Sequence, residues 1–392
     1  MTREIAYFMW DRTDAGTIKR VRSLKAIGFH VIGFSFHRRR YNSASAPDWE
    51  NVDLGLVADK SYLGRIPNLI GGAWKAWRMR RRLRTVPFFL ARGLDLAVLA
   101  LIARFLVGGR MAVIYEVYDV HFTLLEDSVR GAVFRWLERR VLKRADMVAV
   151  TAPAYASAYF RARQGYGGPT FVVENKLPAD IMTGDEPAAA KPWRKGERPL
   201  ILGWFGALRC NESLDILRRA ALALPGELEV HLRGWPAEMP LDEFEAIVAS
   251  VPNITYFGTF RSPEDLADIY GAIDLNWAID LQFRGGNSDW LLPFRIYEGG
   301  YFNVPALGAK GLATGAKVDE LDLGWTLDEP YAESLIEFVH RIVPEELEAK
   351  RRHLQALPRS QFAGDDDLAA MFAALDRTKT SASLSRPDRV EA

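Results

Sequence analysis

The sequence predicts an α/β protein with two parallel, helix-covered sheets in series. Three observations carry this. Short apolar runs alternate with segments of helical periodicity along most of the chain. The alternation breaks between Glu174 and Gly196, in a stretch rich in Pro, Ala and charge, and then restarts. The 392 residues exceed one ordinary core and fit about two domains.

The first series opens with Ile5–Trp10, a short apolar run ending at Asp11, as in a buried strand. Asp14 is placed to cap a helix whose apolar positions Ile18, Val21, Leu24 and Ile27 recur at helical spacing. Gly28 ends that helix, and His30–Phe36 is the next strand. Val86–Leu90 predicts a strand, Leu94–Leu106 a helix and Met111–Val117 a strand. Arg130–Lys143 follows as a helix with a basic outer face, then Met147–Thr151 as a strand. The second series has strands at Leu200–Phe205, Leu228–Arg233, Ile254–Phe257 and Leu275–Ala278. Between them lie helices at Ser213–Leu222, Leu241–Ala249 and Glu264–Tyr270, with another helix from about Leu292 and an apolar step at Ala306-Leu307. No element is read from there to a last helix at Asp366–Leu375. The expected domains are 1–180 and 181–376, the last helix being free to pack back on the first domain, with a flexible tail at 377–392.

Composition bounds the function. At 49% hydrophobic and 26% charged residues, the chain is neither disordered, fibrous nor a multi-span membrane protein. The single cysteine, Cys210, excludes an intramolecular disulfide and a cysteine-based zinc site, and points to a reducing compartment. His30, His37, His231, His340 and His353 are scattered without ligand spacing, so no metal site is expected. No signal peptide is read at the N-terminus. The most apolar window, Val86–Val107, contains Arg92, Asp95 and Arg104 and does not read as a membrane span. The formal net charge of +1 conceals a split. Residues 1–180 hold 29 Lys and Arg against 16 acids, and the remainder 22 against 34. Halves of opposite sign imply different partners.

Four constellations carry possible chemistry. In Gly285–Gly300, after the strand Leu275–Ala278, a Gly-Gly pair allows close backbone approach. There Asn287, Ser288 or Asp289 is placed to cap a helix with Pro293 in its first turn. Backbone N–H groups at such a terminus favour a phosphate, Arg295 adds charge, and Glu298 is placed to accept hydrogen bonds from a ribose diol. The alternative is a well-capped helix with an ordinary ion pair. The second is Gly203–Arg209, a strand and glycine turn in which Gly206 permits a tight turn and Arg209 can neutralise a diphosphate; neither a Walker loop nor Gly-x-Gly-x-x-Gly is present. The third, Tyr115–His121, puts Asp119 and His121 at a strand end as a base and its proton or hydrogen-bond partner, or as a plain turn. The fourth is a basic stretch, residues 64–110, interleaved with aromatic residues. Trp74, Lys75, Trp77, Arg78, Arg80, Arg81 and Arg82 form its centre and read as a segment lying on an anionic membrane surface, or as a solvated helix face. A nucleic-acid partner is not expected, because no such motif appears and the second half is acidic.

Taken in order, these motifs resemble the GT-B glycosyltransferases, and most closely family-4-like bacterial exopolysaccharide transferases of the succinoglycan type. Gly206–Arg209 and Pro293–Gly300 carry the likeness in the second domain; Arg92–Ala97, Ile114–His121, Val150–Pro153 and Val173–Pro178 carry it in the first. Phe257–Phe260 and Asp265–Tyr270 are similar to the family's base-binding turn and following helix. The resemblance implies two Rossmann-like parallel-sheet domains facing across a cleft. It implies a hexosyltransferase with a nucleotide sugar, of the UDP or GDP kind, as co-substrate and without a resident metal. The donor would be held by Gly206, Arg209, Thr259, Phe260, Asn287, Ser288, Arg295, Tyr297 and Glu298, and the acceptor by Asp14 and Gly16. Asp119 and His121 would serve catalysis. The acceptor implied is a lipid-diphosphate-linked saccharide, and the location the inner, cytoplasmic face of the plasma membrane. Trp290, with Asp289 beside it, stands where the family often has an earlier glutamate. Two other readings stay open: a soluble GT-B relative such as a nucleotide-sugar epimerase, and a non-catalytic partner protein.

Overall fold

The computed structural model describes residues 3–37, 47–57, 63–183 and 192–384. The chain divides into two compact units. Unit 1 comprises residues 1–174, 178–180 and 365–392, and unit 2 comprises 175–177 and 181–364.

Unit 1 is built on seven parallel strands: β1 (Arg3–Met9), β2 (Phe29–His37), β3 (Glu50–Leu56), β4 (Phe88–Arg92), β5 (Ala112–Val117), β6 (Met147–Val150) and β7 (Thr170–Val172). Their order is β3-β2-β1-β4-β5-β6-β7. The helices are α1 (Ala15–Ala26), α2 (Ile66–Arg78), α3 (Arg80–Leu83), α4 (Leu94–Val107), α5 (Phe122–Leu125) and α6 (Val129–Leu142). β1 lies inside the sheet, between β2 and β4, and is covered on both sides, which is why its sequence is a continuous apolar run. Ile5, Tyr7 and Met9 join Val21 and Leu24 of α1 in one layer. On the other side Phe8 stacks on Phe34, with ring centroids 4.8 Å apart, and meets Phe89 edge-on. β3 and β7, the two edge strands, are absent from the sequence reading. They are only partly buried, so their apolar pattern is weak.

Unit 2 has six parallel strands: β8 (Leu200–Leu208), β9 (Leu228–Pro236), β10 (Ile254–Tyr256), β11 (Leu275–Trp277), β12 (Ala306–Ala309) and β13 (Gly324–Leu327), in the order β10-β9-β8-β11-β12-β13. Its helices are α7 (Asn211–Ala223), α8 (Leu241–Ala249), α9 (Leu266–Gly271), α10 (Asn287–Trp290), α11 (Phe294–Tyr301), α12 (Ala313–Glu320), α13 (Tyr331–Arg341) and α14 (Pro344–Ala356). α12 to α14 and β13 fill the stretch that the sequence reading left unassigned. The core gathers around the buried Trp204 and Trp277. Buried Asp274, just before β11, holds Arg198 at 2.6 Å and Arg351 of α14 at 2.9 Å.

The helix expected from about Leu292 is α11, and a separate short helix, α10, precedes it. α10 stops at Trp290, Leu291 is extended, and α11 begins only after Pro293, which is its cap residue rather than part of its first turn. The residue before a proline is pushed out of helical conformation, so Leu292-Pro293 separates the two. Asn287, Ser288 and Asp289 therefore do not cap α11.

The chain then returns to unit 1 as α15 (Asp366–Leu384). Phe372 packs against Phe29 and Phe88, at 4.8 and 4.9 Å between ring centroids, and Asp376 pairs with Arg3 at 3.0 Å. The tail expected to fray after Asp376 stays helical to Leu384; residues 385–392, like 184–191 of the connection, lie outside the described residues. Among the described residues, no helix is long and apolar enough to cross a membrane.

Candidate active site

In unit 2 the site is assembled at the carboxyl ends of β8, β9 and β11. Gly206 and Gly234 face each other in the β8–β9 register. Gly206 has φ +105°, and a Cβ there would meet nothing within 4 Å, so its backbone borders open space. Gly234, at φ +135°, has no such room: a Cβ would lie 1.7 Å from the Gly206 carbonyl oxygen. The Gly234 N–H donates to the Gly258 carbonyl at 2.9 Å, which ties the turn after β10 to the same edge. Thr259 and Phe260 sit in that turn, beside the half-exposed Phe257, over which Arg233 lies at 4.8 Å.

Arg209, three residues beyond Gly206, places its Nε 3.3 Å from Oδ2 of Asp280, a buried carboxylate that follows β11. Asp280 also accepts from the Ser288 hydroxyl at 2.8 Å and the Gln282 N–H at 3.2 Å. Ser288 in turn accepts from the Phe283 N–H at 2.8 Å, so its hydroxyl closes the 280–288 loop from within. Buried Arg295 donates through Nη2 to the Ile279 carbonyl at 3.0 Å. Burial alone would raise the Asp280 pKa, yet Arg209 and Arg295 hold it below the ordinary value. Burial pulls Arg295 down from its usual value, with Asp280 opposing. The result is a carboxylate paired with Arg209 and in the field of Arg295, beside the start of α11, whose cap residue Pro293 makes no side-chain hydrogen bond. Such a place suits an anion.

Glu298 follows Arg295 by one turn. It is buried and accepts from the Tyr270 hydroxyl at 3.0 Å. Tyr270 is itself fixed, stacked on Phe302 at 5.6 Å and edge-on to Phe205 at 5.2 Å. Burial and the neighbouring Glu298 push its hydroxyl well above the usual pKa, so it stays a donor. Asn287 and Tyr297 are buried in the same region. Asp280 and the Tyr270–Glu298 bond are what the sequence reading missed. An acid just past a strand end is the same signal that picked out Asp119, so Asp280 was legible.

In unit 1 the strand-end residues divide as alternation requires. Tyr115 points to α6 and donates to the buried Glu138 at 2.8 Å; Tyr159 and Gln164 donate there too. Glu116 points the other way, accepting from the Tyr7 hydroxyl at 2.8 Å and pairing with buried Arg20 at 2.7 Å. Asp119 is exposed and accepts from the Tyr155 hydroxyl at 3.3 Å. His121 caps α5: its Nδ1 accepts from the Thr123 N–H at 3.2 Å. Burial, then the positive charges of Arg65 and Arg130, push its pKa down to about 4. At neutral pH the ring is uncharged with its proton on Nε2, a hydrogen-bond donor rather than a base.

Asp14 caps α1 through the Thr17 N–H at 2.9 Å and pairs with Arg92 at 2.9 Å. Gly16 leaves room for that arginine: a Cβ would lie 3.0 Å from both Arg92 Nη2 and the Tyr118 ring. Asp14 of the expected acceptor set thus has partners within unit 1, and Gly16 stands against Arg92 and Tyr118.

In the basic segment, Trp74 and Trp77 are exposed, with Arg78 over the first at 4.8 Å and Arg80 over the second at 4.5 Å. Arg81 is exposed as well. Lys75 and Arg82, expected to share this surface, turn away from it. Lys75 donates to the Asp53 carbonyl of β3, and Arg82 pairs with Glu4 at 2.6 Å and Glu50 at 2.7 Å.

No protein-family model matches the chain. It is 32% identical over 343 residues to the succinoglycan biosynthesis protein ExoL of Rhizobium meliloti, covering 87% of this chain and 85% of that protein. Among solved structures it superposes on sucrose-phosphate synthase of Thermosynechococcus elongatus with a TM-score of 0.70 at 16% identity, over 97% and 100% of the two chains. It also superposes on Anabaena HepE in complex with UDP-glucose, with a TM-score of 0.64 at 15% identity over 96% and 99%. The two parallel-sheet units are those of a GT-B glycosyltransferase. The chain belongs to the family of the succinoglycan biosynthesis protein ExoL. By fold and family it is a glycosyltransferase of the exopolysaccharide-biosynthesis kind.

Proposed function

We propose that unit 2 binds a nucleotide sugar, of the UDP or GDP kind, and that a hexose passes to a lipid-diphosphate-linked saccharide held by unit 1 at the cytoplasmic face of the plasma membrane. The observation that carries this reading is the placement of Arg209, Asp280 and Arg295 beside the start of α11, where Pro293 gives no side-chain cap, with Glu298 one turn on. The binding of UDP-glucose by HepE, a protein of the same fold, supports the donor class.

In this reading the donor diphosphate lies against Arg209 and the first turn of α11, where backbone dipoles and guanidinium charge meet it. Glu298, held by Tyr270, accepts from the ribose hydroxyls. The acceptor hydroxyl attacks the anomeric carbon as the bond to the diphosphate breaks. The cations stabilise the charge that develops on the leaving group, so no resident metal is needed. Asp119, exposed at the end of β5, is the base that an inverting reaction requires, and His121 donates a hydrogen bond through Nε2.

The test is nucleotide binding and donor hydrolysis by the wild type, Glu298→Ala and Glu298→Gln. The expected result is a melting temperature raised by UDP or GDP in the wild type, and release from the sugar nucleotide that both variants lose. Equal background release from all three, with no nucleotide binding, overturns the reading.

A further inference from the structure

We infer that unit 1 carries a broad bilayer-facing surface formed by three neighbouring helices, α2, α4 and α6, of which the α2 segment is only one edge. This rests on the membrane reading above and assigns the residues that enter the lipid.

α4 packs against α2 on one side and α6 on the other. The inner stripe of α4, including Ala97, Ala100 and Ala103, is buried. The outer stripes of the three helices are apolar where a solvated βα layer would be polar. Ile70 and Trp74 on α2, Ile102 and Phe105 on α4, and Val133 and Trp136 on α6 are all exposed, Phe105 to 83%. Most of the large exposed apolar side chains among the described residues stand on these helices.

The charge on them has one sign. The only acids in α2, α3, α4 and α6 are Asp95 and Glu138, and both are buried. Asp95 pairs with buried Arg65 at 2.8 Å, and Glu138 accepts from Tyr115. The exposed ionisable side chains of these helices are therefore all basic: Arg78 and Arg81 on one side, Arg130, Arg139 and Arg140 on the other. Arg140 lies over Trp136 at 4.8 Å as Arg78 lies over Trp74. An arginine laid on an aromatic ring keeps its charge at headgroup level while the ring goes below it. Exposed Asp127 and Asp146 flank the helices, the latter paired with Arg104 at 2.7 Å, but the helices themselves carry apolar anchors and cations with no exposed acid; this fits a continuous anionic surface, and we assign an anionic phospholipid bilayer as the occupant.

The experiment is sedimentation of the full chain with vesicles of phosphatidylcholine alone, or with about a third phosphatidylglycerol. The expected result is salt-sensitive binding to the mixed vesicles only. Phe105→Ser with Trp136→Ser lowers the partition about tenfold without changing the melting temperature, because both side chains are already exposed. Arg139→Gln with Arg140→Gln weakens binding to mixed vesicles in the same direction. If Trp74→Ser with Trp77→Ser abolishes binding while the Phe105 and Trp136 variant binds like the wild type, the three-helix surface is overturned and the membrane reading stands. If the wild type ignores both vesicles, both fall. Self-association lost in the Phe105 and Trp136 variant, without vesicle binding, gives the face to a second copy and overturns both as well.

Discussion

Arg209 reaches Asp280 across the carboxyl edge of the unit 2 sheet, Nε to Oδ2, at 3.3 Å, and the same carboxylate faces the buried Arg295. One acid thus pairs with one cation and lies in the field of a second. Asp280→Asn leaves Arg295 without its counter-charge and is expected to cost about 1–3 kcal/mol of stability. A bound diphosphate replaces part of that charge. Saturating nucleoside diphosphate is therefore expected to raise the melting temperature of Asp280→Asn more than that of the wild type, as thermal unfolding with and without the nucleotide will measure.

The two glycines at the same edge give opposite phenotypes. Gly234→Ala forces a Cβ into the Gly206 carbonyl and is expected to destabilise by about 3 kcal/mol or more. Gly206→Ala meets open space and carries only the positive-φ cost, about 1–2 kcal/mol. Its folded protein is expected to lose nucleotide binding, because the new methyl projects into the space assigned to the donor. Denaturant titration and calorimetric binding separate the two effects.

Buried Glu116 depends on Arg20. Arg20→Met leaves the carboxylate with only the Tyr7 hydroxyl and is expected to cost about 3–5 kcal/mol. Adding Glu116→Gln removes the stranded charge and should recover much of the loss. A double-mutant cycle measures this directly, and additive losses would mean that the pair is not coupled.

His121 supplies a pH dependence of defined sign. Its folded pKa, about 4, lies below the ordinary value of 6.5. The unfolded chain binds the proton first, so this contribution is present above pH 6.5, is lost as pH falls from 6.5 to 4, and is flat below. The loss is on the order of 3 kcal/mol at most. His121→Asn retains a capping acceptor for the Thr123 N–H and should flatten this slope in urea titrations between these pH values.

Chelation tests the metal-free reading. If the diphosphate is met by Arg209 and the α11 terminus as proposed, sugar transfer in excess chelator is expected to stay within about twofold of the untreated rate. A collapse restored by divalent cation would reverse this.

How much of this was legible depended on how far the deciding contacts lay along the chain. β8 and its glycine turn follow from local pattern, and so does Arg295 beside a strand-end loop. Leu292-Pro293 carried the helix break in plain sight, and Asp280 stood where Asp119 did. Lys75 and Arg82 were misplaced because a helical wheel does not know its neighbours. Their partners, Asp53, Glu50 and Glu4, come from strands 22 to 78 residues away. The edge strand β3 was invisible because half-exposed edges need no strong apolar alternation.

The return of α15 makes the order of synthesis matter. Phe29 and Phe88 leave the ribosome early, yet the ring that covers them, Phe372, is made only after all of unit 2. During translation the first unit must wait with a bare apolar face while the second is made. A chain cut after Gly364 would keep that face uncovered for good, and its first product would be an aggregation problem rather than an inactive enzyme.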